Sequence, residues 1–325
     1  MKITQTVGLL LLAMSIAAPA PAQSPAQYYP VKPIRLIVPF PPGGSNDIVG
    51  RYVGAQLADR LGKQVVIDNR SGGGSILGTS IAAKAAPDGH TLLVISVAYA
   101  MNATLYKLPY DPVNSFARVA MLGTGPNVFL VYPGLPVNSV KEFIALAKAK
   151  PGQLHYVSPG IGSFQHFGTE LFRILASIDI VHVPYKGGGA AMVDVMAGQV
   201  QVAFNSLIQA IPHVRSGRLK ALGTGGAKRS PILPDVPTIA EAGVSGYEAN
   251  NWWGILAPAG TPPGIIDKLN SEIAAIVALP ETQKRFASEG AEPVITTPEG
   301  FGKLIVAEKA KWERVMREAG IRAEQ

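Results

Sequence analysis

The chain has 325 residues, of which 47% are hydrophobic and 16% charged, so it holds enough apolar material for a sizeable core and is not intrinsically disordered. It contains no cysteine, which excludes a disulfide scaffold, a thiolate metal site and a cysteine nucleophile. The formal net charge is +7 at pH 7, but the basic residues are dispersed and alternate with glutamate near the C-terminus. That distribution is typical of a solvated helix face and argues against a nucleic-acid partner.

The first residues have the pattern of an export signal. A short basic start precedes an almost wholly apolar run at 7–18, and Ala20 and Ala22 occupy the small positions of a cleavage site. We expect a signal peptide at 1–22, because the apolar run is too short to span about 30 Å of hydrocarbon. The pattern therefore predicts an exported protein.

The mature part begins with alternating strand and helix patterns. A compact β-branched run predicts the first strand, and apolar residues at helical spacing after a glycine loop predict the first helix. The predicted elements of this first series are, in order, strand 34–38, loop 39–46, helix 48–61, strand 64–68, loop 71–78, a helix to about 86, and strand 91–97.

The same alternation starts again near residue 127 and leads to a helical tail. The predicted elements are strand 127–132, helix 140–150, strand 154–158, helix 163–177, strand 179–183, helix 190–197, strand 200–205, helix 208–216, strand 219–223, strand 252–257, and helices 263–278 and 298–319. Alternating strands and helices imply mostly parallel sheets covered by helices. We therefore predict an α/β protein of two lobes with a ligand cleft between them, lobe 1 being 28–125 plus 252–325 and lobe 2 being 126–251.

The loop at 39–47 is the strongest candidate site, because it lies between a strand and a helix. Gly43 and Gly44 allow the chain to turn so that the N–H groups of residues 43–46 point into one space, while Ser45 or Asn46 caps the helix. Such N–H groups and the positive end of the helix dipole bind an anion without a cationic side chain. The alternative is an ordinary capped turn with Asp47 in a capping box.

Two further loops follow later strands. The loop at 158–166 offers Ser158, Ser163 and His166, but it lacks the Gly-x-Ser-x-Gly pattern of a hydrolase. The loop at 184–189 lacks the ending of a phosphate-binding loop, so we interpret it as a turn whose Tyr185 faces the cleft. The five histidines show no His-x-x-x-His spacing, and we expect neither a metal nor a cofactor.

Several motifs, in order along the chain, resemble those of the Bug proteins, the periplasmic solute receptors of tripartite tricarboxylate transporters. The motifs are YPVKPIR at 29–35, VPFPPGG at 38–44, LPYDP at 108–112, VHVPYKGG at 181–188, LPDVPT at 233–238 and LAPAGTP at 256–262. The resemblance implies a type II periplasmic binding protein fold that closes around a small carboxylate, held by backbone amides of the loop from Phe40 to Asp47.

The resemblance also implies that the loop at 158–166 closes from the opposite lobe. The chain departs from the family pattern at Asn205, where aspartate is usual, and at Tyr99, where a smaller or more polar residue is expected. Tyr99 suggests contact with an aromatic or apolar ligand, and we expect one of Trp252 and Trp253 to face the cleft. The predicted ligand-binding residues are Phe40, Gly43, Gly44, Ser45, Asn46, Asp47, Ser96, Tyr99, Ser158, Gly162, Ser163, His166, Tyr185, Phe204, Asn205 and Trp252.

The sequence is compatible with three functions. The first is a non-catalytic, monomeric receptor that closes on a carboxylate, with crossings near 124–127 and 250–254, and delivers it to permease subunits of the transporter. The second is a sensor subunit that presents the loaded form to a membrane kinase. The third is an exported hydrolase that uses Ser163 and His166.

Overall fold

A computed structural model describes residues 28–319 of the chain. The predicted signal peptide at 1–22 lies outside the described residues. Within 28–319, no helix combines the length and the apolar character that a membrane crossing requires.

The first series of elements forms a parallel sheet flanked by helices, as predicted. β1 and the following helix lie close to the predicted bounds. The helix ends where predicted, because Gly62 adopts a left-handed φ of 64°. The observed elements are β1 (Ile34–Val38), α1 (Ser45–Leu61), β2 (Val65–Asn69), a 3₁₀ turn (Gly73–Ser75), α2 (Ile76–Ala83), β3 (Thr91–Ser96) and α3 (Val97–Leu105).

The second series follows the same rule and ends in three helices. The elements are β4 (Phe116–Val131), α4 (Val140–Ala149), β5 (His155–Ser158), α5 (Phe164–Leu175), β6 (Val181–Pro184), α6 (Gly188–Met196), β7 (Val202–Ser206), α7 (Leu207–Arg215), β8 (Lys220–Thr224), β9 (Asn250–Pro258), α8 (Pro263–Ala278), α9 (Pro280–Ser288), β10 (Glu292–Pro293) and α10 (Pro298–Ala319).

One long strand joins the two halves of the sheet. The strand order is β2-β1-β3-β9-β4-β7-β5-β6, and β8 and β10 also pair with β4. β4 pairs with β9 as far as Pro126 and pairs with β7 from Asn127 onward. β1, β2 and β3 are parallel on one side, and β5, β6 and β7 are parallel on the other. The molecule thus has the predicted two-lobed α/β architecture, with each lobe built around one half of the sheet.

Several elements differ from the sequence-based prediction, among them the two-residue strand β10, which was not predicted. β4 begins at Phe116 and not at residue 127, while α3 and α9 were not predicted at all. Gly123 and Gly125 interrupt the apolar pattern of β4 and made the segment resemble a loop. The structure needs a glycine at 123, since a Cβ there would lie 2.7 Å from the carbonyl oxygen of Glu292 in β10. α3 was missed because it follows β3 with no intervening glycine or proline.

Candidate functional site

The carboxyl ends of several strands converge on a cavity between the lobes. Loops that follow β1, β3, β5, β6 and β7 line it, and β9 contributes its first residues from the opposite direction. Together with the open space at its mouth the cavity encloses about 430 Å³, and we call it the inner cavity. Five predicted residues line it, namely Phe40, Gly44, Ser45, Asn46 and Ser96. Crevices at the carboxyl ends of strands are the usual ligand sites of open α/β sheets.

The first turn of α1 presents unpaired N–H groups at this cavity. Gly43 has a φ of 81°, which favours glycine, and Gly44 is the N-cap, with no side chain capping the helix. The N–H groups of Gly44, Ser45 and Asn46 have no acceptor within residues 28–319. This arrangement corrects the predicted cap, since neither Ser45 nor Asn46 caps the helix.

Asp47 accepts a hydrogen bond from the N–H of Gly43, which the sequence-based prediction had left free for a ligand. The predicted set of four free N–H groups is therefore reduced to three. Asp47 Oδ2 accepts hydrogen bonds from the N–H of Gly43 and from Arg51 Nε, both at 2.9 Å, and its Oδ1 accepts one from Asn69 Nδ2 at 2.9 Å. Burial alone would raise the pKa of Asp47, but the hydrogen bonds from Arg51, Gly43 and Asn69 outweigh it and lower the pKa. Asp47 therefore holds the loop and does not line the inner cavity.

Side-chain contacts fix the two polar residues that follow Gly44. Trp253 Nε1 donates to Ser45 Oγ at 3.3 Å, and Asn46 Nδ2 donates to Ser96 Oγ at 3.4 Å. Trp252 and Trp253 are both buried, and neither lines the cavity. Trp252 packs edge-on against Phe301 with ring centroids 5.7 Å apart. A tryptophan therefore supports the loop from behind, which differs from the expected cleft contact.

The second lobe contributes the start of α5. Ser163 is the N-cap, and its Oγ accepts a hydrogen bond from the backbone N–H of His166 at 3.3 Å. Gln165 lines the inner cavity, and its Nε2 donates to Asn205 Oδ1 at 3.1 Å. Asn205 is buried and also accepts from its neighbour's N–H, so it acts on the cavity through Gln165. The Ser163 hydroxyl therefore serves as the N-terminal cap of α5.

The predicted histidine lies behind this loop. The ring of His166 stacks on His182 with centroids 4.4 Å apart, and His182 stacks on Tyr156 at 4.8 Å. His182 Nε2 lies 2.7 Å from Ser158 Oγ, which places Ser158 in a partly buried hydrogen-bonded pair. Burial, aided by the neighbouring His166, lowers the pKa of His182 to about 4. Neither His166 nor Ser158 lines the inner cavity.

Two other predicted residues belong to the core. Tyr99 is 3% exposed, donates to the carbonyl of Pro112 at 2.7 Å and packs against Tyr110 and Phe116. Phe204 stacks on Phe129 with centroids 4.7 Å apart. The structure therefore does not bring either ring to the cavity. Phe204 lies within β7, where alternate side chains point into the lobe, and Tyr99 lies on α3, which buries this ring against Tyr110 and Phe116.

A second cavity, which encloses about 1040 Å³ together with the open space at its mouth, adjoins the first, and we call it the outer cavity. The two share Phe40, Pro41 and Pro159. The predicted residues Ser163 and Tyr185 line the outer cavity, but the Tyr185 hydroxyl donates to the carboxylate of Asp194. The predicted Gly162 lines neither cavity and has a φ of 81°.

Sequence reasoning missed three carboxamides of the inner cavity. Gln165, Gln209 and Asn251 line it, together with Gly188 at the start of α6. A signal existed for Gln165 and Gln209, since each lies in the first turn of a helix after a strand. No local signal identified Asn251, because its contact with the Val97 N–H at 3.4 Å joins β9 to α3 across the chain.

The inner cavity carries no charged side chain among its lining residues. Within residues 28–319, no group of three or more histidine, aspartate or glutamate residues could hold a metal ion. Helix N-termini and neutral carboxamides are therefore the polar groups that a bound molecule would meet. Such groups bind anions by hydrogen bonds and dipoles in a site that excludes water.

A two-lobed α/β fold with a cavity between the lobes, bordered by helix N-termini, is that of a periplasmic solute-binding receptor. The tripartite tricarboxylate transporter family receptor model matches residues 49–321, and the chain belongs to this family. The resemblance found in the sequence is thereby confirmed, and so is the fold class. Members of this family are periplasmic solute receptors and not enzymes.

Curated relatives and solved structures agree with this assignment. The chain is 38% identical to protein BugT of Bordetella pertussis over 322 residues, which cover 98% of each chain. A Rhodopseudomonas palustris protein solved with adipate is 36% identical with a TM-score of 0.88, over 90% of this chain and 99% of that one. MatC from Rhodopseudomonas palustris, solved with malate, is 32% identical with a TM-score of 0.84, over 88% and 99%.

Proposed function

We propose that this protein is an exported receptor that captures a small carboxylate by closing its cleft and delivers it to the membrane subunits of a tripartite tricarboxylate transporter. The observation that carries this proposal is the set of unpaired N–H groups of Gly44, Ser45 and Asn46 at the inner cavity. They meet one carboxylate of the ligand, while Gln165 and Gln209 reach the rest of the bound molecule from the other lobe. Adipate and malate in the two related structures support a carboxylate ligand.

The proposed receptor has a cleavable signal peptide and two lobes joined by a hinge. Residues 1–22 form a signal peptide that directs the chain to the periplasm. Lobe 1 comprises 28–125 plus 252–325 and lobe 2 comprises 126–251, and the protein works as a monomer. The crossings at 124–127 and 250–254 act as hinges, since β4 changes partners between Pro126 and Asn127. Ligand drives closure by binding the closed state more tightly than the open state.

The binding site is tested by adding a side chain at Gly44. Its φ of −77° suits any residue, and the nearest atom to an added Cβ is the Pro41 carbonyl oxygen at 3.6 Å. Gly44→Val therefore leaves the fold intact but places methyl groups beside the three N–H groups. Calorimetry with a panel of mono-, di- and tricarboxylates should detect binding to wild type at about micromolar affinity, roughly 8 kcal/mol, and none to the variant.

Gly189→Val is the matched control, because Gly189 also lies at a helix start and has no atom within 4 Å of an added Cβ. It should bind as wild type does. Unchanged affinity in Gly44→Val would show that the N–H groups of α1 do not hold the ligand.

Delivery to a permease is tested separately from binding. Deleting the gene should abolish uptake of the bound carboxylate, and restoring it in trans should recover uptake. Normal uptake in the deletion strain, with loss of a transcriptional response to the same carboxylate, would favour a sensor subunit for a membrane kinase.

A further inference from the structure

The two lobes meet beside the outer cavity through glycine residues. Gly74 belongs to the turn before α2 in the first lobe, whereas Gly162 and Gly187 precede α5 and α6 in the second. A Cβ built on Gly74 would lie 2.7 Å from the carbonyl oxygen of Ile161 and 3.5 Å from the Gly162 backbone. Real Cβ atoms do not approach backbone this closely, so an alanine at 74 would force the lobes apart.

The facing glycine is restricted in the same way. A Cβ on Gly162 would lie 2.7 Å from Asn102 Oδ1 and 3.1 Å from the ring of Tyr106, both in the first lobe. Asn102 cannot easily move, because its Nδ2 donates to the Gly74 carbonyl at 2.5 Å and the residue is fully buried. The backbone of Gly162 in the second lobe therefore packs directly on side chains of the first lobe.

A third glycine makes a contact with the anion-binding loop. A Cβ on Gly187 would lie 2.7 Å from Pro41 Cγ. Pro41 lies in the loop before α1 and lines both cavities. The outer cavity is also lined by Gly74 and Ile161, so glycine contacts border it at two places.

We propose that Gly74, Gly162 and Gly187 are positioning residues that set how closely the lobes approach, and thereby the length of the dicarboxylate that the closed cleft accepts. The inference rests on the proposed function, in which one carboxylate lies at α1 and the ligand extends to Gln165 and Gln209 of the other lobe. Because the ligand bridges the lobes, their separation fixes the distance between its two binding ends. Each methyl group added at these contacts widens that separation and favours a longer chain.

The test uses alanine variants with controls of matched backbone strain. Gly74→Ala is compared with Gly62→Ala, since their φ angles are 61° and 64°, and Gly162→Ala with Gly246→Ala, since theirs are 81° and 79°. Neither control has an atom within 4 Å of the added Cβ. Calorimetry measures the affinity for succinate, glutarate, adipate and pimelate in each protein.

The cleft variants should bind the best wild-type diacid about tenfold more weakly, as expected when the fraction of molecules that reaches the closed state falls to about a tenth of its wild-type value. The loss should be largest for the shortest diacid, so that the preferred length increases. The controls should lose thermal stability to the same extent and keep wild-type affinities. Equal affinities and an unchanged order of diacids in Gly74→Ala and Gly62→Ala would overturn the proposal.

A double variant tests the third contact. Gly187→Ala should weaken binding severalfold in the wild-type background and much less in a Pro41→Ala background, because the shorter side chain removes the clash. Equal losses in the two backgrounds would overturn the role of Gly187.

A direct distance measurement separates failure of this inference from failure of the proposed function. The chain has no cysteine, so Val66→Cys and Val193→Cys at two exposed positions would supply the only thiols for spin labels. The distance between the two labels reports the separation of the lobes. Gly74→Ala should have a smaller closed fraction than Gly62→Ala. If no carboxylate binds wild type, the proposed function fails, while equal closed fractions in the two variants would overturn the positioning role regardless of ligand.

Discussion

One carboxylate decides which N–H groups of the α1 loop remain available. Asp47 takes the N–H of Gly43 and leaves those of Gly44, Ser45 and Asn46 facing the cavity. The glycines and the capping-type acidic residue were recognisable in the sequence. Which N–H groups Asp47 engages was not, since the same pattern fits an ordinary cap in which the aspartate bonds elsewhere.

Replacing Asp47 by asparagine tests this positioning. The carboxamide of Asp47→Asn would present an NH₂ group to donors that now bond to carboxylate oxygens, so the free energy of unfolding should fall by about 1–3 kcal/mol. The carboxylate affinity should fall by about tenfold, equivalent to about 1.4 kcal/mol. Chemical denaturation and calorimetry measure the two quantities.

Asp59→Asn is the control, because Asp59 is exposed on the same helix. It should match wild type in both measurements. An Asp47→Asn variant with full affinity would mean that the loop keeps its shape without the charged group.

At the scale of elements, β5, β6 and α5 meet through stacked rings. His182 of β6 lies between Tyr156 of β5 and His166 of α5. Glu170, whose carboxylate accepts from Tyr156 and pairs with Arg173, is the acidic group of this cluster. The rings hold the loop at 158–163 from behind, so their protonation state bears on both stability and binding.

The cluster predicts an acid-sensitive fold. The pKa of His182 is lowered to about 4, so the folded protein binds this proton less readily than the unfolded chain does. The neutral form of His182 contributes to the free energy of unfolding. This contribution is complete above about pH 6.5 and is lost as the pH falls toward 4. Because His182 is partly exposed, solvent screening reduces the expected loss to about 1–2 kcal/mol.

Denaturation of wild type and His182→Gln between pH 7 and pH 4, by urea, measures this contribution. Wild type should lose more stability than the variant over that interval. Parallel pH profiles would exclude His182 as the source, since all other titrating groups are common to the two proteins.

The elements themselves were predictable to different degrees. Helices with a clear stop, such as α1 before Gly62, agree with the sequence pattern because short-range conformational preferences determine them. The start of β4 does not agree with the sequence pattern. Gly123 interrupts that pattern, and a glycine is needed there because β10, which lies far along the chain, packs closely against it. Trp252 and Tyr99 were misplaced for the same reason: the face that a side chain takes depends on what packs against it.

At the scale of the whole molecule, a further cavity lies behind the proposed hinge. It is lined by Thr124 to Pro126 of β4, by Asn250, and by Ala287 of α9, among others, and encloses about 790 Å³ together with the open space at its mouth. Asn250 lines this cavity while its neighbour Asn251 lines the inner cavity, so the two lie on opposite faces of β9. Opening the front of the cleft would compress this rear cavity.

Filling the rear cavity should therefore favour the closed state. Ala287→Phe adds a ring to the rear cavity, which hinge opening would narrow, so the open state should be disfavoured and the affinity for the bound carboxylate should rise by about three- to tenfold. Ala145→Phe, on an exposed position of α4, should have no effect. Calorimetry measures both, and a weaker or unchanged affinity in Ala287→Phe would contradict hinge motion about this axis.

The sequence alone determined the alternation of strands and helices, the glycine loop before α1 and the family, because each depends on residues close together in the chain. The tertiary structure decided which residues meet. Gln165, Gln209 and Asn251 come to one cavity with Gly44 only because β4 and β9 pair and bring distant strand ends to the same place. Local preferences act over a few residues, whereas convergence of these groups requires the assembled sheet.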